Sequence, residues 1–256
     1  VTWPDHYQGL SIVIPTYNER ENVAELLAEL RRIGPRLTRP YEVVLVDDRS
    51  PDGTGHIAER LARELGLEVR VLSRDGERSM GGATAAGVRA SSWDLVCVMD
   101  ADLSHPPSFI PTMLESLDGA DGVVASRYVP GARIESWPVA RHLISYIATV
   151  LARSTLHVRC RDPLSGFFLF PRSLLERIPI TGDGNKPLLE LLVRARPVVN
   201  EVAYHFRNRK NGRSKLTVGN IAGFIRLVVV LRSDLRKRVD ASQVPTRSGT
   251  SETRKP

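Results

Sequence analysis

The sequence predicts an α/β protein with a mostly parallel central sheet flanked by helices. Three observations carry that expectation. Short apolar runs alternate with amphipathic helical segments through the first half, the pattern that strand–helix–strand crossovers leave in a chain. The strand-like runs are apolar nearly throughout rather than on alternate residues, as strands buried on both faces are. Three of them end in polar and acidic clusters, TYNE, DDRSPDG and DAD. Those clusters fall at the carboxyl edge of such a sheet, where ligands bind.

The elements follow in order. LSIVIPTY (10–17) is a buried strand, and NERENVAELLAELRRI (18–33) sets Val23, Leu26, Leu27 and Leu30 on one helical face. Asn18 is the expected N-cap of that helix, with Glu21 as the return half of a capping box. YEVVLVDD (41–48) is a second strand, and the SPDG turn leads into a helix through HIAERLAREL. LEVRVLSR (67–74), a Gly/Ala-rich helix (81–91) and DLVCVMD (94–100) complete the pattern. The second half is less regular. DGVVASRY (121–128) reads as a strand and PVARHLISYIATVLARST (138–155) as a helix with Leu143, Ile147, Val150 and Leu151 near one face. SGFFLFPRSLLERI passes from strand to helix, KPLLELLVRAR is helical, and VVNEVAYHFRNR is a strand running into a loop. Residues 1–232 are expected to form a single domain, and the polar, Ser/Thr/Arg-rich segment 233–256 a disordered tail.

A formal charge of +7 favours anionic partners: nucleic acid, phosphorylated metabolites or an anionic membrane surface. No nucleic-acid motif is present, and nucleic-acid binding leaves the acidic strand ends unexplained. The two cysteines, Cys97 and Cys160, have neither metal-ligand spacing nor a disulfide framework and read as core residues in a reducing compartment. The opening VTWPDHYQGL lacks the basic start and apolar run of a signal peptide. No apolar run reaches the ~18 residues that span a bilayer, so a soluble or surface-bound protein is expected.

The chemistry concentrates in four stretches. In VMDADLSHPP, Asp100 and Asp102 stand one residue apart at a strand exit, where like charges repel. A divalent cation between them removes that repulsion, since hard cations take carboxylate oxygens and leave positions for phosphates. The alternative is a solvated turn in which Asp102 caps the next helix. DDRSPDGT (47–54) is either an acidic turn capped by Asp52 or Thr54, or an acceptor for ribose hydroxyls and base N–H groups. PTYNE (15–19) is a strand exit that also offers a base an aromatic neighbour in Tyr17 and an acceptor in Glu19. RNRKNGRSKL (207–216) is either a solvated basic face or a Gly-containing loop able to close over a diphosphate.

Taken together, IVIPTYNERENV, VLVDDRSPDGT, VMDADLSHPPSFIP, ASRYVPG and NGRSKL resemble, in order and spacing, the family-two glycosyltransferases of the GT-A fold. The resemblance runs from about residue 10 to 230 and is nearest to the polyprenol (dolichol) phosphate mannosyltransferases. It implies a nucleotide-diphospho-sugar transferase fold, with a nucleotide-binding half of about 8–130 and an acceptor half of about 131–232. It further implies a nucleotide pocket lined by Pro15, Tyr17, Glu19, Val46 and Asp48, with GDP-mannose as donor. Asp100 and Asp102 are then the metal site for Mg2+ or Mn2+, Ala101 lies against the donor, and Ser104 takes the neighbouring donor or metal position. Arg127, Arg209 and Lys215 hold phosphates, and Arg141 and Ser145 receive the acceptor phosphate. Arg49, Ser79 and RDPLSGFFLF depart from the commoner family pattern and leave the sugar open more than the reaction class.

The expected reaction is inverting transfer to a polyprenyl phosphate, a nucleophile already ionised at neutral pH. UDP-glucose as donor, or a hydroxyl acceptor, is the alternative, and a hydroxyl acceptor needs a base, for which Asp162 is the candidate. LTVGNIAGFIRLVVVLR (216–232) is read either as an interfacial helix on anionic lipid or as an ordinary core-facing one. The expected location is cytoplasmic, peripheral on the inner face of a membrane, with a separate anchoring protein as a further partner.

Overall fold

The structure, a computed structural model, describes residues 3–75, 77–135, 137–178, 186–208 and 218–242. In chain order the elements are β1 (Leu10–Thr16), α1 (Arg20–Ile33), β2 (Tyr41–Asp47), α2 (Thr54–Leu65), β3 (Val69–Ser73), α3 (Met80–Ala90), β4 (Leu95–Val98), α4 (Ile110–Glu115) and β5 (Gly122–Ser126). There follow β6 (Arg133–Ile134), α5 (Val139–Leu156), β7 (Phe168–Pro171), α6 (Arg172–Arg177), α7 (Pro187–Ala195), β8 (Val199–Ala203), β9 (His205–Phe206) and α8 (Val218–Ser242). Among the described residues the main sheet has the order β3-β2-β1-β4-β7-β5-β8, and β6 pairs with β9 beside it.

Strand alternation explains why these strands are apolar on both sides. In β1, Leu10, Ile12 and Ile14 pack under α1 against Val23, Leu26, Leu27 and Leu30. Val13 points the other way, into a second layer with Ala83 and Val88 of α3 and Leu188 and Leu191 of α7. β2 and β4 divide likewise, Val43, Leu45 and Cys97 on the first face and Val44, Val46, Val96 and Val98 on the second. Helix α3 lies directly on the sheet: a Cβ at Gly87 would come 2.3 Å from Val13 Cγ1 and 3.0 Å from Val46 Cγ2, so only glycine permits the contact. Both cysteines are buried, and burial pushes both thiols up.

Register places the strand exits together. Thr16 lies beside Asp47, and Val13 beside Val98, so β1, β2 and β4 all emit their acidic loops at one edge. β7 is the exception to parallel pairing, running antiparallel to both β4 and β5. Its start, at Ser165–Gly166, therefore lies at the same edge as the exits of its neighbours.

Two expectations need correction. Asn18 is not the N-cap of α1; it has φ 57°, and the helix starts at Arg20. The first-turn donors are satisfied from the loop after β2 instead: the Arg20 N–H donates to Asp52 Oδ2 (3.1 Å) and the Glu19 N–H to Thr54 Oγ1 (3.0 Å). That arrangement locks two site loops together, which a local cap could not do. The boundary at 232 is also passed, since α8 continues to Ser242. Asp234 Oδ2 accepts from Arg194 of α7 at 3.5 Å, and Leu235 packs against the cluster formed by Ala152, Leu156, Leu189, Val193, Leu227, Val228 and Leu231. Residues 243–256 of the expected tail lie outside the described residues.

Candidate active site

The loops leaving β1, β2 and β4 each contain a non-glycine residue in the left-handed region: Asn18 (φ 57°), Arg49 (φ 52°) and Leu103 (φ 62°). Such conformations cost about 1–3 kcal/mol each and persist where surrounding contacts over-determine them. Here the contacts are on view. Asp47 accepts from the Ser50 N–H (3.1 Å), from the Ser50 hydroxyl and from Thr16 Oγ1 (3.3 Å). Asp102 Oδ1 accepts from the Ser104 N–H (3.0 Å) and hydroxyl (2.6 Å).

At the exits of β2 and β3, Asp48 is gripped by Arg74, Nε to Oδ1 at 2.7 Å and Nη2 to Oδ2 at 2.8 Å. The bond to Asp48 raises the Arg74 pKa further above its ordinary value. Arg49 pairs with Asp75. The Arg78 guanidinium stands 4.1 Å from the centre of the Tyr17 ring, so Tyr17 enters the site as one half of a cation–π pair. Glu19 accepts from Asn22 Nδ2 at 2.7 Å. Three of the residues expected in the pocket are Pro15, Val46 and Ala101. Their side chains are buried, Val46 beneath α3 and Ala101 in the core cluster that α1 shares.

The acidic pair divides its tasks. Asp102 is buried and braced by Ser104, itself buried, so the structure places Ser104 as a support of Asp102. The Asp100 side chain keeps 27% exposure and lies 3.2 Å from Nε2 of buried His105. His105 Nδ1 is 3.0 Å from the Tyr204 hydroxyl. Lys186, ahead of α7, feels Arg127, Asp100 and Asp162; burial and the Arg127 charge depress its ammonium pKa, while the two carboxylates work the other way. Among the described residues no group of three or more His, Cys, Asp or Glu forms a closed metal cage. Two hard carboxylates at an open strand end suit a divalent cation that completes its shell from phosphate oxygens and water.

The end of the site beyond β5 is organised by Arg127. Its Nε and Nη2 each bind Asp162 at 2.8 Å, its backbone N–H adds a third bond at 2.9 Å, and the Asp162 side chain is fully buried. Burial alone would lower the Arg127 pKa, but the Asp162 charge and hydrogen bonds raise it. A carboxylate so enclosed presents nothing to a substrate hydroxyl, which sets aside the expectation of Asp162 as a base. Arg127 also stands 5.7 Å from the centre of the Trp137 ring, and Arg141 lies over the same indole at 4.1 Å. Ser145 Oγ meets the Tyr128 hydroxyl at 2.8 Å, so Arg127, Arg141 and Ser145 share one neighbourhood. Arg209 and Lys215 lie outside the described residues; the segment leading to them is tied to the acidic loop by the Arg207 N–H donating to the Ser104 carbonyl at 3.2 Å.

Next to this end the surface is apolar. α5 exposes Val139, Leu143, Ile144, Tyr146, Ile147, Val150 and Leu151, and α8 exposes Ile221, Ile225, Val229 and Val230. The two helices pack through Ala152, Leu156, Leu227, Val228 and Leu231 and turn these other residues outward. No helix among the described residues is long and apolar enough to cross a membrane.

Sequence reasoning missed Arg74, Arg78, His105, Lys186 and Tyr204. His105 carried a signal, lying five residues after Asp100 at the end of the acidic motif. The others are brought in by tertiary structure from runs with no motif of their own.

A family model described as "Glycosyl transferase family 2" matches residues 11–179. The dolichol-phosphate mannosyltransferase of Pyrococcus furiosus is 39% identical over 221 residues, which are 85% of this chain and 62% of that protein, so the chain spans less than two thirds of that relative. The Saccharomyces cerevisiae dolichol-phosphate mannosyltransferase is 34% identical over 81% of this chain and 80% of its own length. The polyprenol monophosphomannose synthase of Mycolicibacterium smegmatis is 33% identical over 84% and 83%. Among solved structures, glucosyl-3-phosphoglycerate synthase from Mycobacterium tuberculosis, in complex with Mn2+, UDP and glucosyl-3-phosphoglycerate, superposes with TM-score 0.61 over 94% of this chain and 82% of that one. At 20% identity the likeness is one of fold, the GT-A fold.

Proposed function

The chain belongs to glycosyl transferase family 2, and from that premise we propose that it transfers mannose from GDP-mannose to a polyprenyl phosphate, with inversion at the anomeric carbon. The observation that carries this reading is the placement of Asp100 and Asp102 at the β4 exit. They stand between the nucleotide-side loops and the Arg127–Arg141 end, and that end borders the apolar faces of α5 and α8. The names of the relatives at 33–39% identity support the same donor and acceptor classes.

In the proposed reaction a lipid phosphate oxygen attacks C1 of the sugar, and the bond from C1 to the diphosphate oxygen breaks, GDP taking the electron pair. Asp100 and Asp102 would hold Mg2+ or Mn2+, which when bound neutralises charge on the departing diphosphate. Arg209 and Lys215 add positive charge to the same phosphates. Arg127, anchored by Asp162, and Arg141, stacked on Trp137, fix the direction from which the acceptor phosphate arrives. A phosphate monoester is largely doubly ionised at neutral pH, so no base is needed. The enclosure of Asp162 agrees with that and speaks against a hydroxyl acceptor.

The apolar faces of α5 and α8 support peripheral binding to a membrane, where the acceptor resides, and the basic charge of the chain favours an anionic, cytoplasmic face. A separate anchoring protein remains part of the proposal. The reading is tested by incubating purified protein with labelled GDP-mannose, Mg2+ and a short polyprenyl phosphate. Label moving to the organic phase, and lost with chelator, supports it; label moving only from UDP-glucose, or only to a hydroxyl acceptor, overturns it.

A further inference from the structure

Asp100 has a built support of its own. From the β4 side, His105 places Nε2 3.2 Å from Asp100 Oδ2. From the corner between β8 and β9, Tyr204 places its hydroxyl 3.0 Å from His105 Nδ1. From the start of β7, Gly166 closes the space behind both: a Cβ there would lie 3.1 Å from Asp100 Oδ1 and from His105 Nε2, and 3.2 Å from Asp100 Oδ2. The His105 ring is walled by Phe167, Tyr204 and Phe206, with ring centres 5.4, 5.7 and 5.5 Å away. Three elements distant in sequence thus converge on one carboxylate.

The hydrogen-bond polarity is determined by what each group can do. An ionised carboxylate only accepts, so the proton between His105 and Asp100 belongs to Nε2. With the neutral ring in that tautomer, Nδ1 accepts from the buried Tyr204 hydroxyl. Burial, with smaller contributions from Asp162 and Asp100 and an opposing one from Arg127, keeps that phenol protonated, its pKa well above the ordinary value. The chain Tyr204 O–H to His105 Nδ1, His105 Nε2–H to Asp100 satisfies every member.

We infer that His105, oriented by Tyr204 and seated against Gly166, is a positioning residue that fixes the Asp100 carboxylate for a cation bound with the nucleotide. This rests on the proposed function. His105 does not touch the sugar or the lipid phosphate; it acts through Asp100. The resulting requirement is specific: a side chain at 105 must present a donor where Nε2 stands.

Mn2+ binding by the full chain in the presence of saturating GDP, followed by the electron paramagnetic resonance of free Mn2+, tests it without turnover. His105→Leu is expected to weaken Mn2+ about 10–100-fold, the usual cost of losing a partner that orients a ligand. His105→Gln, whose amide nitrogen reaches the position of Nε2, should recover most of that loss. Tyr204→Phe removes one oxygen while keeping the packing, and is expected to weaken Mn2+ by a smaller factor and to shift the His105 ring-nitrogen resonances away from the Nε2–H tautomer. Equal Mn2+ affinity in wild type, His105→Leu and Tyr204→Phe overturns the inference and leaves the proposed function standing. Should His105→Leu not fold, Tyr204→Phe and the resonances decide alone. A wild-type chain that binds no Mn2+ with GDP overturns the metal part of the proposed function, and the positioning role falls with it.

Discussion

Arg74 and Asp48 form a two-pronged ion pair across the exits of β3 and β2, at 2.7 and 2.8 Å, with 17% and 7% of the side chains exposed. Its members come from the exits of adjacent strands, so the pair fixes one wall of the proposed nucleotide pocket before any ligand arrives.

Arg74→Lys keeps the charge but cannot reproduce the planar fork. We expect a loss of about 1.5–3 kcal/mol of stability, the range for hydrogen bonds to charged groups. On the proposed function the KM for GDP-mannose should rise with kcat held, since a wall of the nucleotide pocket would meet the donor equally before and during transfer. Urea unfolding and initial-rate kinetics measure the two effects separately.

Asp162→Asn leaves the buried Arg127 guanidinium without its counterion. Breaking such a pair from one side costs about 3–5 kcal/mol, and denaturant unfolding should show a loss of that size. With a phosphate acceptor, turnover per folded molecule should remain substantial. Turnover abolished in a fully folded variant that keeps its affinity for the acceptor phosphate would reinstate Asp162 as a base, whereas a loss of that affinity would report a displaced Arg127.

Asp52 holds together the loops after β1 and β2. Burial alone would raise its pKa, but hydrogen bonds from Thr54 and Arg20, with the Arg20 charge, bring it below its ordinary 3.8. A carboxylate with a lowered folded pKa contributes stability that is fully present above the unfolded value and is lost as pH falls through the folded one. Asp52→Asn should therefore be less stable than wild type at neutral pH, and the gap should shrink below about pH 3.8. Chemical denaturation across an acid pH series reads this directly.

The apolar faces of α5 and α8 give a fourth test. Ile147 and Val229 are 54% and 63% exposed, so Ile147→Glu and Val229→Glu should leave the unfolding midpoint unchanged. Each should weaken sedimentation with anionic liposomes about tenfold, the equivalent of one large aliphatic side chain kept in water. Wild-type binding should itself fall with salt.

The strand order around β1 follows from the runs at 10–17, 41–48 and 94–100, because an uninterrupted apolar strand has few places to go in a sheet covered on both sides. The stripe Leu143, Ile147, Val150 and Leu151 was equally legible as a helix face, yet periodicity does not say what covers a face, and here solvent-side residues carry it. The capping of α1 by Asp52 and Thr54 lay beyond local pattern, since the partners are 32 and 35 residues distant. Tyr204 and His105 are 99 residues apart, and neither sequence neighbourhood announces the other. The polar composition past 232 masked a helix in which Asp234 pairs with Arg194 and Leu235 packs on the core. The direction of β7 is likewise invisible in FLFP, a run that fits a strand of either sense.

That reversed strand has an engineering corollary. Because β7 runs against its neighbours, the largely buried link that precedes it, from Arg161 to Gly166, arrives at the edge where Asp100 and Asp102 stand, whereas its junction with α6, between Pro171 and Arg172, lies at the opposite edge. A change of side chain just ahead of Gly166 would therefore be felt at the proposed catalytic edge, and a change of like size at the Pro171 junction would fall a full strand length from it.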